Sequence, residues 1–98
     1  MTIRMEKQAD KLLLAPEGRL DTVTAPELEK TIKENLDGVT ALTFDLADLE
    51  YVSSAGLRVL LSAQKAMNGQ GEMKLCNVNE TIMEIFEVTG FSDILTIE

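Results

Sequence analysis

Apolar positions recur along the chain with two periods, and the changes of period mark the elements. Residues 2–6 alternate, with Ile3 and Met5 standing between Thr2, Arg4 and Glu6, the pattern of a strand with one wet face. After a turn at Gln8, Ala9 and Asp10, residues 11–17 carry Leu12, Leu13, Leu14 and Ala15 ahead of Pro16. They predict a strand covered on much of both faces, whose last residues lie at an edge or leave the ladder because proline has no N–H to donate. Residues 18–21 predict a loop. Thr24 and Glu27 have the spacing of a capping box, Pro26 falls in the first turn, and Leu28, Ile32 and Leu36 recur every four residues up to Gly38. That is a first helix with a glycine stop. Residues 41–46 alternate again, Leu42, Phe44 and Leu46 against Thr43 and Asp45, and predict a strand.

A second helix starts at Ser53–Gly56 and runs to about Met67 on Leu57, Leu60, Leu61, Ala63 and Met67. Residues 72–76 predict a strand through Met73 and Leu75. The third helix spans about Glu80 to Thr89, with Ile82, Ile85, Phe86 and Thr89 inward and Glu80, Glu84 and Glu87 outward. Asn77 or Asn79 caps its front and Gly90 its back. Residues 93–97 suggest a short last strand through Ile94, Leu95 and Ile97. The order is β-β-α-β-α-β-α, with an optional final β. Helical crossovers imply parallel pairing in the centre and an antiparallel N-terminal hairpin at one side. The expected fold is α/β: a small mixed sheet with helices packed against it, one domain over residues 1–98.

Composition narrows the function more than the fold. The chain has 98 residues, 45% of them apolar and only 4% aromatic, so Leu, Ile, Val, Met and Ala must fill the core. Seventeen acidic residues face nine basic ones, for a net charge of −8 divided equally between the two halves. No basic patch stands out, so nucleic acid is not an expected partner and an anionic membrane would repel the chain. A protein with a basic docking face is the natural expectation. Histidine is absent, which removes the commonest general base and metal ligand. The single cysteine, Cys76, has no partner for an intramolecular disulfide and reads as a small buried hydrophobe. There is no long apolar run and no basic-then-apolar leader pattern at the start, so the expected location is the cytoplasm.

Ser53, Ser54, Ala55 and Gly56 lie at the start of the second helix, where a hydroxyl accepts a first-turn N–H. Plain capping is one reading of these serines and modification is the other. A nucleophilic role needs a base, and none lies nearby in sequence. A phosphate there would meet unpaired N–H groups and the helix dipole, and would obstruct a partner docking on an already acidic chain. Asp45 and Asp48 supply too few oxygen ligands for a metal and read as a solvated strand face, with Asp48 shaping the turn. No metal or cofactor is expected. A surface made of the Gly18–Thr24 loop, including Asp21 and Thr22, the Ser53–Gly56 loop, and Arg58, Ser62 and Lys65 suits a protein partner more than a metabolite.

Residues 45–61, DLADLEYVSSAGLRVLL, resemble the signature of STAS domains, in particular the bacterial anti-sigma factor antagonists. GRLD at 18–21, TAPEL at 24–28, IMEIF at 82–86 and GF at 90–91 extend the resemblance over essentially the whole chain. The resemblance implies a stand-alone, non-enzymatic regulator. It would bind an anti-sigma factor that is also a serine kinase with a histidine-kinase-like ATP fold. Phosphorylation would break the complex and a PP2C-type phosphatase would restore it. By match to the motif the acceptor is Ser54, with Ser53 as second choice, and Asp21 matches the family's acidic loop residue. The chain has Ser53 where the best-known members have Asp, and Ala55 where Ser or Thr is common. A monomer is expected. The alternative is an unphosphorylated STAS module of a transporter-associated or stress-sensing complex, in which the serine only caps the helix.

Overall fold

The ten residues Lys11–Leu20 form the strand on which the rest of the sheet is assembled. The computed structural model describes residues 1–98. Five strands, β1 (Thr2–Gln8), β2 (Lys11–Leu20), β3 (Ala41–Asp45), β4 (Leu49–Val52) and β5 (Glu72–Cys76), make one sheet. Its order is β1-β2-β3-β5, with β4 paired to the far end of β2. β1 is antiparallel to β2 and the other pairings are parallel. Three helices, α1 (Ala25–Asn35), α2 (Ser54–Asn68) and α3 (Glu80–Thr89), follow β2, β4 and β5. The expected mixed α/β sheet with its crossovers is the one observed.

Register explains the core. Leu12 lies opposite Leu42, which lies opposite Met73, and Leu14, Phe44 and Leu75 form the next row. Alternation puts all six on one face, and Leu28 and Ile32 of α1, Leu57, Leu60, Ala63 and Met67 of α2, and Ile82 and Phe86 of α3 join them in a single cluster of 22 buried residues. On the opposite face Leu13, Thr43, Lys74 and Cys76 are only half-buried. Pro16 sits between the β2 segment that pairs with β3, ending at Leu14, and the segment that pairs with β4, starting at Gly18. Its missing N–H therefore costs no ladder bond on that side.

Several local expectations are corrected. Leu49–Val52 is a strand, and Gly18, Arg19 and Leu20 belong to β2 rather than to a loop. Gly18 lies opposite Leu49 but Arg19 opposite Tyr51, so Glu50 is an extra residue that breaks the alternation. Buried Leu49 and Val52 are consequently three apart, which hides the strand period. Thr24 forms no capping box: its side chain makes no cap bond to α1, and Glu27 pairs with the Met1 amine at 3.2 Å. The terminal strand reduces to a 3-10 turn at Phe91–Asp93 and one bridge between Leu75 and Ile97. β1 has no buried face, since Ile3 is half-buried and Met5 is 45% exposed. In α2 Val59 is buried and Leu61 only half-buried, and in α3 Thr89 is exposed. Of the two candidates for the front cap of α3 the structure uses Asn79, whose Oδ1 accepts the Ile82 N–H at 2.9 Å, and Gly90 caps the back as expected.

Candidate functional site

Strand β4 delivers the chain directly into α2, and the two serines sit at that junction. Ser53 has extended backbone, and its N–H donates to the Leu20 carbonyl at 2.8 Å, continuing the β2–β4 pairing to the start of the helix. Its Oγ accepts the Gly56 N–H at 3.4 Å, so Ser53 is the N-cap, and it is half-buried. Ser54 is the first helical residue and is exposed. One hydroxyl is thus engaged in starting the helix while its neighbour faces solvent. Ala55 is half-buried. Gly56 is buried, and a Cβ there would lie 2.7 Å from Leu20 Cγ and from Val52 Cγ2. Expected as a partner contact, Gly56 instead lets α2 approach the β2–β4 pair.

The loop from β2 to α1 lies beside this junction and is tightly tied. Asp21 Oδ1 accepts the N–H groups of Val23 at 3.0 Å and Thr24 at 3.1 Å. Thr24 Oγ1 accepts the Asp21 N–H at 2.8 Å and donates to the Arg19 carbonyl at 2.7 Å. The Thr24 backbone N–H, foremost, and that of Val23 hold the Asp21 carboxyl below its ordinary range, with Arg19 adding attraction from 3.9 Å. The Arg19 guanidinium also lies 4.4 Å from the centre of the Tyr51 ring. Asp21 is half-buried and organises the loop, whereas Thr22 and Val23 project, Val23 being 85% exposed.

Between this loop, α1 and α2 runs a groove of about 320 Å³. Buried Ala25 and Val59 line it together with Thr22, Pro26, Glu29, Ala55, Arg58 and Ser62. Four of the expected contact residues, Thr22, Ala55, Arg58 and Ser62, therefore share one concavity. Lys65 is exposed further along α2 and does not line it. The projecting Val23 falls within the expected Gly18–Thr24 loop, whereas the groove's Glu29 was missed by sequence reasoning. Nothing local marked Glu29, one of several acidic residues on a solvated helix face.

Charge is not spread evenly over the fold. α2 carries Arg58 and Lys65 and no acidic residue, while α3 carries Glu80, Glu84 and Glu87 and no basic one. Neither Arg58 nor Lys65 is engaged in an ion pair. The helix that bears the serines is therefore basic on a chain whose net charge is −8. No three carboxylate or thiol groups converge on a metal-sized site. Asp45, not Asp48, shapes the turn after β3: its Oδ1 accepts the Asn77 side-chain N–H at 3.0 Å and the Ala47 N–H at 3.1 Å. Those bonds, the first most strongly, hold its carboxyl below the usual range. Cys76 is half-buried rather than enclosed, and burial, then the charges of Asp45 and Glu98, pushes its thiol up.

A sheet with this order, a loop–strand–helix junction bearing two serines, and a shallow groove in place of a deep pocket define the class. The STAS domain profile matches residues 2–98. A candidate anti-sigma factor antagonist of Bordetella bronchiseptica, BtrV, is 35% identical over 99 residues, covering 99% of this chain and 85% of the relative. The anti-sigma-B factor antagonist of Listeria monocytogenes is 30% identical over 96 residues, covering 95% and 83%. Among solved structures, the anti-sigma factor antagonist SpoIIAA in its unphosphorylated form superimposes with a TM-score of 0.85 at 17% identity, over 99% of this chain and 88% of that one. Bacillus SpoIIAA in its phosphorylated form gives 0.77, also at 17% identity, over 99% and 91%. The protein belongs to the STAS domain family, on the side of the anti-sigma factor antagonists. No helix is long and apolar enough to cross a membrane.

Proposed function

We propose that this chain is an anti-sigma factor antagonist that works by partner switching. In its unmodified state it binds an anti-sigma factor that is also a serine kinase with a histidine-kinase-like ATP fold. The kinase transfers the terminal phosphoryl group of a nucleoside triphosphate to Ser54 Oγ. The new O–P bond replaces the bond to the leaving diphosphate, and the hydroxyl proton goes to a base of the kinase, since this chain has no histidine to take it. The chain itself is not an enzyme. A PP2C-type phosphatase returns the phosphate to water and restores binding, and the cycle runs in the cytoplasm with the antagonist as a monomer.

The observation that carries this reading is the division of labour between the adjacent serines. Ser53 Oγ is committed to the Gly56 N–H, whereas Ser54 is exposed at the first position of α2. A kinase can therefore reach Ser54 without dismantling the cap. The phosphate would add about −1.5 to −2 charges beside the groove, at a helix start where unpaired N–H groups tolerate an anion. The fold would persist and the docking surface would change. Asp21 and Thr22, with Ser53, Ala55, Arg58, Ser62 and Lys65, frame the surface that the kinase covers.

The test is a tagged pull-down from native lysate, read by quantitative mass spectrometry, with wild type, S54A and S54E. Recovery of a kinase-like partner by wild type and S54A, lost with S54E, is the expected result. Equal recovery of one set of proteins by all three would make Ser54 an inert surface residue and favour the accessory-module alternative.

A further inference from the structure

The charges within reach of Ser54 assign a second part to the switch. On a helix, a residue and the one four positions later lie on the same face, with Cβ atoms about 5–6 Å apart. Four positions after Ser54 is Arg58, which is exposed, lines the groove and takes part in no ion pair. An anion preceding a cation by four residues is the favourable order, and an anion at Ser54, the first residue of α2, also complements the helix dipole. No acidic residue on α2 competes for Arg58. Across the groove Glu29 is half-buried, and its carboxylate is held by Lys33 at 2.8 Å. The other nearby cations are poorly placed for a phosphate on Ser54. Arg19 is occupied by Tyr51 at 4.4 Å and Asp21 at 3.9 Å, and Lys65 lies about 16 Å along the helix axis.

We propose that Arg58 is a two-state residue: it faces the docking partner from the groove while Ser54 is unmodified, and it turns one helical step to pair with the phosphate once Ser54 is phosphorylated. Phosphorylation then does two things at the docking surface. It adds an anion and it withdraws the cation nearest to it. The swap needs no backbone movement, because both side chains are exposed on the same helical stripe. This rests on the reading of Ser54 as the phosphoacceptor, and the following experiment separates the two.

The full chain is prepared with phosphoserine placed at position 54 during synthesis, so that no kinase is involved. The second ionisation of the phosphate is followed by ³¹P NMR from pH 4 to pH 9 in wild type, R58Q, R58K and K74Q. An Arg58 pair holds that pKa about 0.3 unit lower in wild type than in R58Q, with R58K retaining most of the effect. K74Q removes the same charge from β5, where Lys74 pairs with Glu98 at 3.2 Å, and should match wild type. Identical values in wild type and R58Q, or equal shifts in R58Q and K74Q, would overturn the proposal. Neither result touches the assignment of Ser54, which stands or falls on the pull-down.

Discussion

Two neighbouring serines with the same side chain have different environments, and that difference is measurable as stability. Ser53 Oγ holds the Gly56 N–H, at the long distance of 3.4 Å, while Ser54 faces solvent. Removing an N-cap oxygen costs about 0.5–2 kcal/mol, and the long bond places S53A near the lower end. S54A should stay within about 0.5 kcal/mol of wild type, as surface substitutions do. Urea unfolding of the two variants checks this, and an equal or larger loss in S54A would reverse the assignment of cap and free hydroxyl. The serine pair was legible in the sequence, but which hydroxyl capped the helix was not, because local patterns leave a helix start uncertain by a residue or two. Gly56 was legible only as a motif position. Its structural reason, the close approach of Leu20 and Val52, joins residues from two strands.

At the scale of elements, the β2–α1 loop shows how tertiary partners displace a local motif. Thr24 and Glu27 have capping-box spacing, yet Thr24 bonds to Arg19 and Asp21, and Glu27 to the Met1 amine. Asp21 takes over the role of tying the loop to the helix start. Its folded carboxyl titrates below the ordinary value of 3.8, so the charged form is favoured by folding. That contribution is fully present above the unfolded value and is lost as pH falls through the folded one. D21N keeps an acceptor oxygen but not the charge. The stability difference between wild type and D21N should therefore be present at pH 6 and close as pH drops below about 4. Urea titrations at pH 6 and pH 3 measure it, and a difference independent of pH would show that the charge does not matter. Strand β4 illustrates the converse problem. Its bulge at Glu50 spaces Leu49 and Val52 irregularly, and only pairing with Gly18–Leu20 reveals the strand.

For the molecule as a whole, one cluster of 22 buried residues connects the sheet to all three helices, so the parts should unfold together. Phe86, fully buried on α3, tests that connection. F86A should cost about 3–5 kcal/mol and still give a single transition, coincident by far-UV circular dichroism and by fluorescence of Tyr51 on β4. An early loss of helix signal with Tyr51 unchanged would show α3 to be a separable layer. Net charge is unevenly divided at this scale. Within the −8 that leads to the expectation of a basic partner face, α3 carries Glu80, Glu84 and Glu87 and no basic residue, whereas α2 carries Arg58 and Lys65 and no acidic one. The sequence by itself determined what depends on neighbours along the chain: the existence of β2, the alternation of β3 and β5, the periods of the helices, an asparagine cap before α3 and the Gly90 cap after it, and the serine pair at the start of α2. Only the tertiary structure decided the pairing of β4 with β2, the task of Asp21, the burial of Gly56 and the groove that unites Thr22, Ala55, Arg58 and Ser62. Each of these depends on segments 25 or more residues apart meeting in space, or on competition between local and distant partners for one polar group, and no short window of sequence contains both sides of such a contact.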